Sequence, residues 1–344
     1  MGARKFDQID GLRFFAVFAV VCAHWHSSLS NFFGLITAAS RGVDLFFVIS
    51  GFLITLGLIR SKEKNDTKGS SLYKFYIRRF LRIFPIYYLT VFILLYFNYN
   101  QISDSIWWFL LYASNFHSIK IQDWGAAGHL WSLSVEEQFY LVWPFIILFI
   151  PDRKLPAVII AAVVLSLTAK SYWVVTNAPF WSLYMHPLAA LDTLALGALL
   201  AYLYYFHTDQ LRKILYNPFV TIIVTAQMIL CIYLMYAPYG NFIHHIGIRT
   251  SFGLFSAWLI GRATFGFSKI PGHILSSRPL KYIGKISYAI YLLHPFVPVI
   301  LSRFKYPENE NLRFVLYAAV TVGLASASWH LFESRILKLK DRFE

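Results

Sequence analysis

Ten apolar stretches long enough to cross a lipid bilayer follow one another along this chain, and they restrict its fold more than any other feature. A membrane-spanning helix needs about 20 mostly apolar residues. Lipid offers backbone groups no hydrogen-bonding partner, so such stretches form helices. They lie at about residues 12–30, 43–59, 83–99, 130–150, 156–174, 184–206, 218–237, 246–267, 282–301 and 313–332. The sequence therefore predicts an all-α, polytopic membrane protein with about ten transmembrane helices, in a single domain over residues 1–344.

Composition and charge exclude several other classes. Charged residues make up 14% of the chain, against about 25% in a typical soluble domain. The net charge is +14, but the basic residues are spread through short loops. We therefore expect membrane lipid, and no nucleic acid, as a partner. Cys22 and Cys231 both lie inside apolar stretches and predict neither a disulfide framework nor a metal site.

Basic residues predict the topology. Arg4, Lys5 and the run at 60–82 flank the first three stretches, which places both termini in the cytoplasm. The segment 103–118 is apolar but short. Counting it as a span would reverse the side of the membrane on which every later loop lies. Without it, thirteen Lys and Arg residues after position 150 are cytoplasmic and five are external. We therefore interpret this Trp-rich segment as an external interfacial or re-entrant piece, and expect no soluble domain at either end.

Ionisable residues at membrane depth or at its edge are functional candidates, because burying them in lipid is costly. Each could instead be a structural ion pair or hydrogen bond between helices. They are Arg13, His24, Asp44, Glu136, Glu137, Asp192, His294 and Glu333.

His24 has the clearest chemical reading. A neutral imidazole can accept a proton from an alcohol, which is the task of a general base. Arg13, eleven residues earlier, shares its helix face at a distance of roughly 16 Å, whereas His26 lies about 200° around the helix from His24. Arg13 could hold an anionic substrate or pair with Asp10 one turn earlier.

Arg78, Arg79 and Arg82 form a second candidate site at the cytoplasmic surface. Their spacing of three and four residues puts guanidinium groups on one side of a helix. Guanidinium forks match phosphate oxygens. Alternatively, these arginines only fix the topology and contact anionic lipid head groups.

A third cluster lies at the predicted external mouth of the fourth stretch. Glu136 and Glu137 could orient a histidine, bind a polar acceptor, or pair with Arg41 or Lys120. Ser132 and Ser134 lack the G-x-S-x-G sequence of a serine nucleophile, and helix capping is the commoner role of such serines.

Six motifs in order resemble the acyltransferase-3 family of integral membrane acyltransferases, from the first helix to Glu333. They are IDGLR at 9–13, the spacing from Arg13 to His24, GVDLFFVISGFLI at 42–54, Arg79-x-x-Arg82, WSLSVEEQFY at 131–140 and ISYAIYLLH at 286–294. Each motif alone is loose, but their shared order over the whole chain is specific.

The resemblance implies transfer of an acyl group, usually acetyl, from cytoplasmic acetyl-CoA to a hydroxyl of an extracytoplasmic carbohydrate. Polysaccharide, O-antigen or a lipid-linked sugar would fit, in a bacterial cytoplasmic membrane. His24 matches the family's essential histidine, Arg13 its Arg-x10-His arginine, and Arg79 with Arg82 its cytoplasmic arginine pair. Some relatives carry an additional SGNH-type domain, which we do not expect here.

The mechanistic hypothesis has His24 as the general base, oriented by Glu137, Asp44 or Glu333. Arg78, Arg79 and Arg82, with Arg13, would bind the donor, acyl-CoA. Direct transfer and transfer through an acyl-enzyme both stay open. The alternative is a transporter or flippase for a polar substrate, although the inverted repeats with broken helices typical of many transporters are not evident.

Overall fold

The computed structural model describes residues 6–25, 28, 31–32, 41–64, 67–235, 243–304 and 307–343. Within these ranges, helices are the only regular secondary structure, which confirms the all-α prediction. Arg4, Lys5 and His26 lie outside the described residues.

Nine long helices run through the described ranges. They are α1 (Asp7–His24), α2 (Gly42–Glu63), α3 (Lys68–Tyr96), α4 (Trp131–Phe149), α5 (Leu155–Val175), α6 (Pro187–Phe206), α7 (Pro218–Met235), α8 (Arg249–Phe265) and α9 (Glu310–Ser328). Most follow the predicted apolar stretches closely. The third begins about fifteen residues before the stretch at 83–99, because its first part is the basic run.

By length and composition, five helical segments can cross a membrane. They are Gly42–Glu63, Lys68–Tyr96, Asp152–Val175, Phe180–Phe206 and Glu310–Lys340. A sixth is possible if Thr208–Tyr216 and Pro218–Leu234, which meet at 64°, count as one bent span. The chain is thus a multi-pass membrane protein, while the number ten remains a prediction.

The stretch at 282–301 was expected to be one helix and is three short ones. These are Arg278–Lys285, Ser287–Leu293 and Phe296–Leu301. Pro295 explains the second break, because proline has no N–H to donate and its ring clashes with the preceding turn. The break places His294 at a helix end, where its ring is fully buried.

The Trp-rich segment at 103–118 contains no helix long enough to cross a membrane. It is built from Tyr99–Ser105, Ile106–Leu110 and Ser114–Ile121. Left-handed backbone conformations precede the first piece at Asn98, separate the second from the third at Tyr112, and follow the third at Gln122. This agrees with leaving the segment out of the count of spans; its place outside the membrane stays a prediction.

The chain divides into two compact units. Unit 1 comprises Met1–Phe46, Phe80–Thr90 and Arg262–Glu344, and unit 2 comprises Phe47–Arg79 and Val91–Gly261. In unit 1, Lys281 pairs with Asp7 at 2.8 Å, and Gln8 hydrogen-bonds both the N–H and the carbonyl of Phe267. These contacts attach α1 to the C-terminal third of the chain. The single domain predicted over 1–344 remains a prediction.

Unit 2 contains a close crossing between α2 and α6. A Cβ at Gly51 would collide with the carbonyl oxygen of Leu194, and one at Gly197 with that of Val48. Glycine has no side chain to prevent such an approach. The two helices therefore touch backbone to backbone at two reciprocal places.

Candidate active site

His24 is the last residue of α1, and its ring is exposed. Its Nδ1 lies 2.9 Å from Nε2 of His294, whose side chain is fully buried. The neighbouring Trp25 donates its indole N–H to the carbonyl oxygen of His294 at 3.3 Å. Two histidines 270 residues apart in sequence thus form a direct pair within unit 1.

A backbone carbonyl fixes the direction of this hydrogen bond. Nδ1 of His294 lies 2.8 Å from the carbonyl oxygen of Tyr291. A carbonyl oxygen only accepts, so Nδ1 of His294 carries the proton and, in the neutral ring, Nε2 is the acceptor. His24 must then donate from Nδ1, so in its neutral ring Nε2 is the basic nitrogen. This is the tautomer that the predicted general base needs for accepting a proton at Nε2.

His24 lines a cavity of about 240 Å³ in unit 1. The lining is mainly aromatic with a few charged groups: His24, Trp25, Pro298, Glu310, Arg313, Phe314 and Tyr317. Trp25 meets the rings of Phe314 and Tyr317 edge to face, with centroids 5.8 and 5.7 Å away. An exposed proton acceptor therefore borders a space with apolar walls.

The three carboxylates expected to orient His24 have other described contacts. Asp44 lies 3.5 Å from Arg41, and Glu333 accepts a hydrogen bond from Ser328 at 2.8 Å and interacts electrostatically with Arg82. Glu137 belongs to unit 2. The sequence does not predict the histidine partner, although His294 is one of its ionisable residues at membrane depth.

Arg13 forms an ion pair with Asp10 at 3.0 Å. This is one of the two roles that the sequence left open. Its part in donor binding stays a prediction.

The three arginines of the basic run have different surroundings on α3. Arg78 and Arg82 are exposed, four residues apart, and Arg78 donates to the carbonyl oxygen of Lys74. Arg79 is half-buried and stacks over the ring of Tyr140, with its guanidinium carbon 5.3 Å from the ring centroid. A rotation of about 100° per residue separates Arg79 from its neighbour. The cluster is therefore two exposed arginines beside one that packs inward.

The carboxylates of α4 are held inside unit 2. Ser50 donates to Oε1 of Glu136 at 2.9 Å, and the hydroxyl of Tyr140 lies 3.2 Å from Oε2 of the same carboxylate. Glu137 is 9% exposed and interacts electrostatically with Arg79. Of the two basic partners considered for these carboxylates, Arg41 lies 3.5 Å from Asp44 and Lys120 lies over the ring of Trp108. Their pairing with Glu136 or Glu137 stays a prediction.

A family model described as "Acyltransferase domain" matches residues 6–330, nearly the whole chain. The chain belongs to the acyltransferase-3 family. It is 31% identical to the Peptidoglycan O-acetyltransferase OatA of Listeria monocytogenes, over 98% of this chain and 56% of the relative. It is 27% identical to the O-acetyltransferase OatA of Staphylococcus aureus, over 97% of this chain and 58% of the relative. No solved structure matches the chain.

These comparisons confirm the family resemblance and, with it, the prediction of an acyl-transferring enzyme. The chain spans a little over half the length of these curated relatives.

In this acyltransferase, the two serines that were weighed as nucleophiles, Ser132 and Ser134, are both buried. Ser132 donates to the carbonyl oxygen of His129, and Ser134 donates to that of Leu130 and lies 2.8 Å from the hydroxyl of Ser114. Neither serine caps the helix by accepting from its first N–H groups. They bond to carbonyls of the preceding turn, a structural role.

A buried charge network in unit 2 was only partly foreseen. Lys170 and Asp192, both fully buried, lie 2.6 Å apart, and Thr250 donates to the same carboxylate at 2.7 Å. Arg249 is also fully buried and donates to the carbonyl oxygen of Tyr184 at 3.1 Å. Lys170 and Arg249 are two of the five basic residues that the sequence places on the external side, and the structure buries both. Lys170 pairs with the carboxylate of Asp192, whereas Arg249 donates to backbone carbonyls.

Proposed function

We propose that this acyltransferase is an O-acetyltransferase that moves an acetyl group from cytoplasmic acetyl-CoA to a hydroxyl of an extracytoplasmic carbohydrate. The peptidoglycan named for the Listeria relative is the acceptor that this likeness favours. The observation that carries the proposal is the His24–His294 pair beside its aromatic cavity.

The chemistry follows from the tautomer. The acceptor hydroxyl enters the cavity and gives its proton to Nε2 of His24. The hydroxyl oxygen forms a bond to the acyl carbon, the bond from that carbon to its leaving group breaks, and the leaving group takes the proton from His24. In direct transfer the leaving group is the thiolate of coenzyme A; in transfer through an acyl-enzyme it is a group of the protein. Both routes need the same base at the acceptor hydroxyl.

The donor side is assigned to the arginines of α3. Arg78 and Arg82 are exposed and can present their forks to the phosphates of coenzyme A. Arg79, which stacks on Tyr140 and interacts electrostatically with Glu137, would add its positive charge beside them. Arg13, which keeps Asp10 on one of its guanidinium nitrogens, would add a further positive charge.

The topology belongs to the same proposal. It keeps ten spans with both termini in the cytoplasm, because thirteen basic residues after position 150 are then cytoplasmic and five are external.

Two variants of the purified protein test the proposal. His24→Ala should bind acetyl-CoA normally and lose transfer by a factor of about 10² or more, the usual contribution of a general base. His273→Ala, which changes an exposed histidine, is the matched control. Full activity in His24→Ala would rule out the base.

Arg82→Ala should weaken binding of acetyl-CoA, while the exposed Arg335→Ala should not. An unchanged affinity would move the phosphate site elsewhere. If the wild-type protein bound no acyl-CoA and hydrolysed none in detergent, the transporter alternative would replace the enzyme.

A further inference from the structure

We propose that the short helix Thr208–Tyr216, here called the linker helix, binds the head group of an anionic phospholipid at the membrane surface. The linker helix connects α6 to α7 within unit 2. The inference goes beyond the proposed acyl transfer and does not depend on it.

The linker helix is too short to cross a membrane, and it joins two long apolar helices. Its nine residues extend over about 14 Å at 1.5 Å each, against about 30 Å for the hydrocarbon core of a bilayer. It begins two residues after the end of α6 and meets α7 at 64°. With α7 along the membrane normal, this angle puts the linker helix nearer to the membrane plane. We therefore place it in the interface between lipid and water.

The two sides of the linker helix differ in character. Leu211 and Leu215 are each 5% exposed, and a Cβ at Gly261 would come within 2.8 Å of a methyl group of Leu215. This apolar side packs against unit 2. Residues three, four and seven positions apart share one face of a helix. The residues with that spacing here are all exposed and line an open groove of about 470 Å³: Asp209, Arg212, Lys213 and Tyr216.

The charges of the groove fit a phosphate ester whose head group carries hydroxyls. Arg212 and Lys213 outnumber Asp209, so the groove carries a net positive charge. The guanidinium carbon of Arg212 lies 5.9 Å from the centroid of the Tyr216 ring. Stacking uses the face of the guanidinium, and its N–H groups point outward along the edge, where they match phosphate oxygens. The carboxylate of Asp209, one turn earlier, can accept hydrogen bonds from the hydroxyls of the head group.

Apolar residues beside the groove favour a lipid over a soluble phosphate compound. Ile214 is 54% exposed, and Phe219 at the start of α7 is 73% exposed. Basic side chains on one side of a helix with exposed apolar ones beside them are typical of a helix that lies in the lipid interface. Basic residues there attract anionic lipids of the membrane surface. The lipid phosphate would meet Arg212 and Lys213, and its acyl chains would meet the apolar residues.

The test counts the phospholipid molecules that the purified protein keeps in native mass spectrometry after incubation with phosphatidylglycerol or with phosphatidylcholine. The wild-type protein should keep one more phosphatidylglycerol than the double variant Arg212→Gln with Lys213→Gln. Its groove should bind phosphatidylglycerol about tenfold more tightly than phosphatidylcholine, the usual contribution of a charged hydrogen bond. An unchanged number of phosphatidylcholine molecules in the double variant shows that it is folded.

The matched control is the double variant Arg153→Gln with Lys154→Gln, which removes an exposed arginine and lysine elsewhere in unit 2. It should keep the wild-type number of phosphatidylglycerol molecules. Loss of one from this control as well would overturn the inference, because any exposed basic pair would then bind lipid. Equal numbers in the wild type and the Arg212 and Lys213 variant would overturn it too, as would equal affinity of the wild type for the two lipids. Release of the additional lipid by millimolar inorganic phosphate would make the groove a site for a soluble phosphate compound instead.

Discussion

A single carbonyl oxygen, that of Tyr291, determines which nitrogen of His24 carries the proton in the neutral ring. The carbonyl oxygen accepts a hydrogen bond from Nδ1 of His294, so Nε2 of His294 is left to accept one from Nδ1 of His24. His294 touches no substrate in this scheme. It is a positioning residue, because it fixes the tautomer and the ring orientation of His24.

Replacing His294 with leucine should therefore lower kcat by about 10²-fold, since His24 loses its acceptor and can rotate or change tautomer. KM for the acyl donor should hardly change. His294→Gln is the matched variant, because an amide oxygen can accept the same hydrogen bond, and it should keep much of the activity. Steady-state kinetics with acetyl-CoA checks this. An equal loss of kcat in both variants would mean that His294 has only a structural role.

The buried pair of Lys170 and Asp192 makes a prediction about stability. Lys170→Met leaves a buried carboxylate without its closest cation and should cost about 3–5 kcal/mol. The double variant Lys170→Met with Asp192→Asn removes both charges and should recover much of the loss. Thermal unfolding in detergent, followed by size-exclusion chromatography, measures both. The exposed Lys154→Met should match the wild type; a double variant weaker than either single one would contradict the argument.

The sequence identifies His24 and Asp192 as candidates because an ionisable residue inside an apolar stretch can be recognised from the sequence alone. The sequence does not predict the residue that either of them contacts. The contact from His24 to His294 spans 270 residues, and that from Lys170 to Asp192 joins two helices. The sequence counts Lys170 only as one of the external basic residues, because it lies near the end of an apolar stretch. Partners depend on packing, which local periodicity does not encode.

At the scale of elements, the sequence predicts α4 closely although Pro144 lies inside it, and predicts the stretch at 282–301 poorly. The break before Phe296–Leu301 follows from Pro295, a signal present in the sequence but outweighed by the apolar run around it. Pro85 shows why the signal is uncertain, because α3 continues through it.

The crossing of α2 and α6 gives the prediction for elements. Gly51→Ala or Gly197→Ala places a methyl group against a backbone carbonyl oxygen of the other helix. Each variant should lower the free energy of unfolding by about 1–3 kcal/mol, because the helices must move apart. Gly57→Ala is the control on α2, where a Cβ meets nothing within 4 Å, and it should be neutral or slightly stabilising. Thermal unfolding in detergent separates them. If all three variants behave alike, the crossing is looser than described.

At the scale of the whole molecule, the open question is on which side of the membrane each loop lies. Cysteines introduced at three exposed positions, Lys64, Asp123 and Asp209, can be labelled in intact cells with an impermeant maleimide. Ten spans predict that only Asp123→Cys reacts before permeabilisation. If 103–118 were a span, Asp209→Cys would react instead and Asp123→Cys would not, while Lys64→Cys would stay inside. The natural cysteines, both buried, should give little background.

The Lys170–Asp192 pair also bears on how the protein is made. The ribosome completes α5, with its lysine, before α6 delivers the balancing carboxylate 22 residues later. Until then the lysine adds up to about 3.5 kcal/mol to the cost of entering the bilayer, depending on its depth. If α5 and α6 leave the insertion machinery together as a helical hairpin, Lys170 and Asp192 are already paired and that cost is avoided. A contact that holds the finished fold together thus also favours an order of assembly, in which two helices enter the membrane as one.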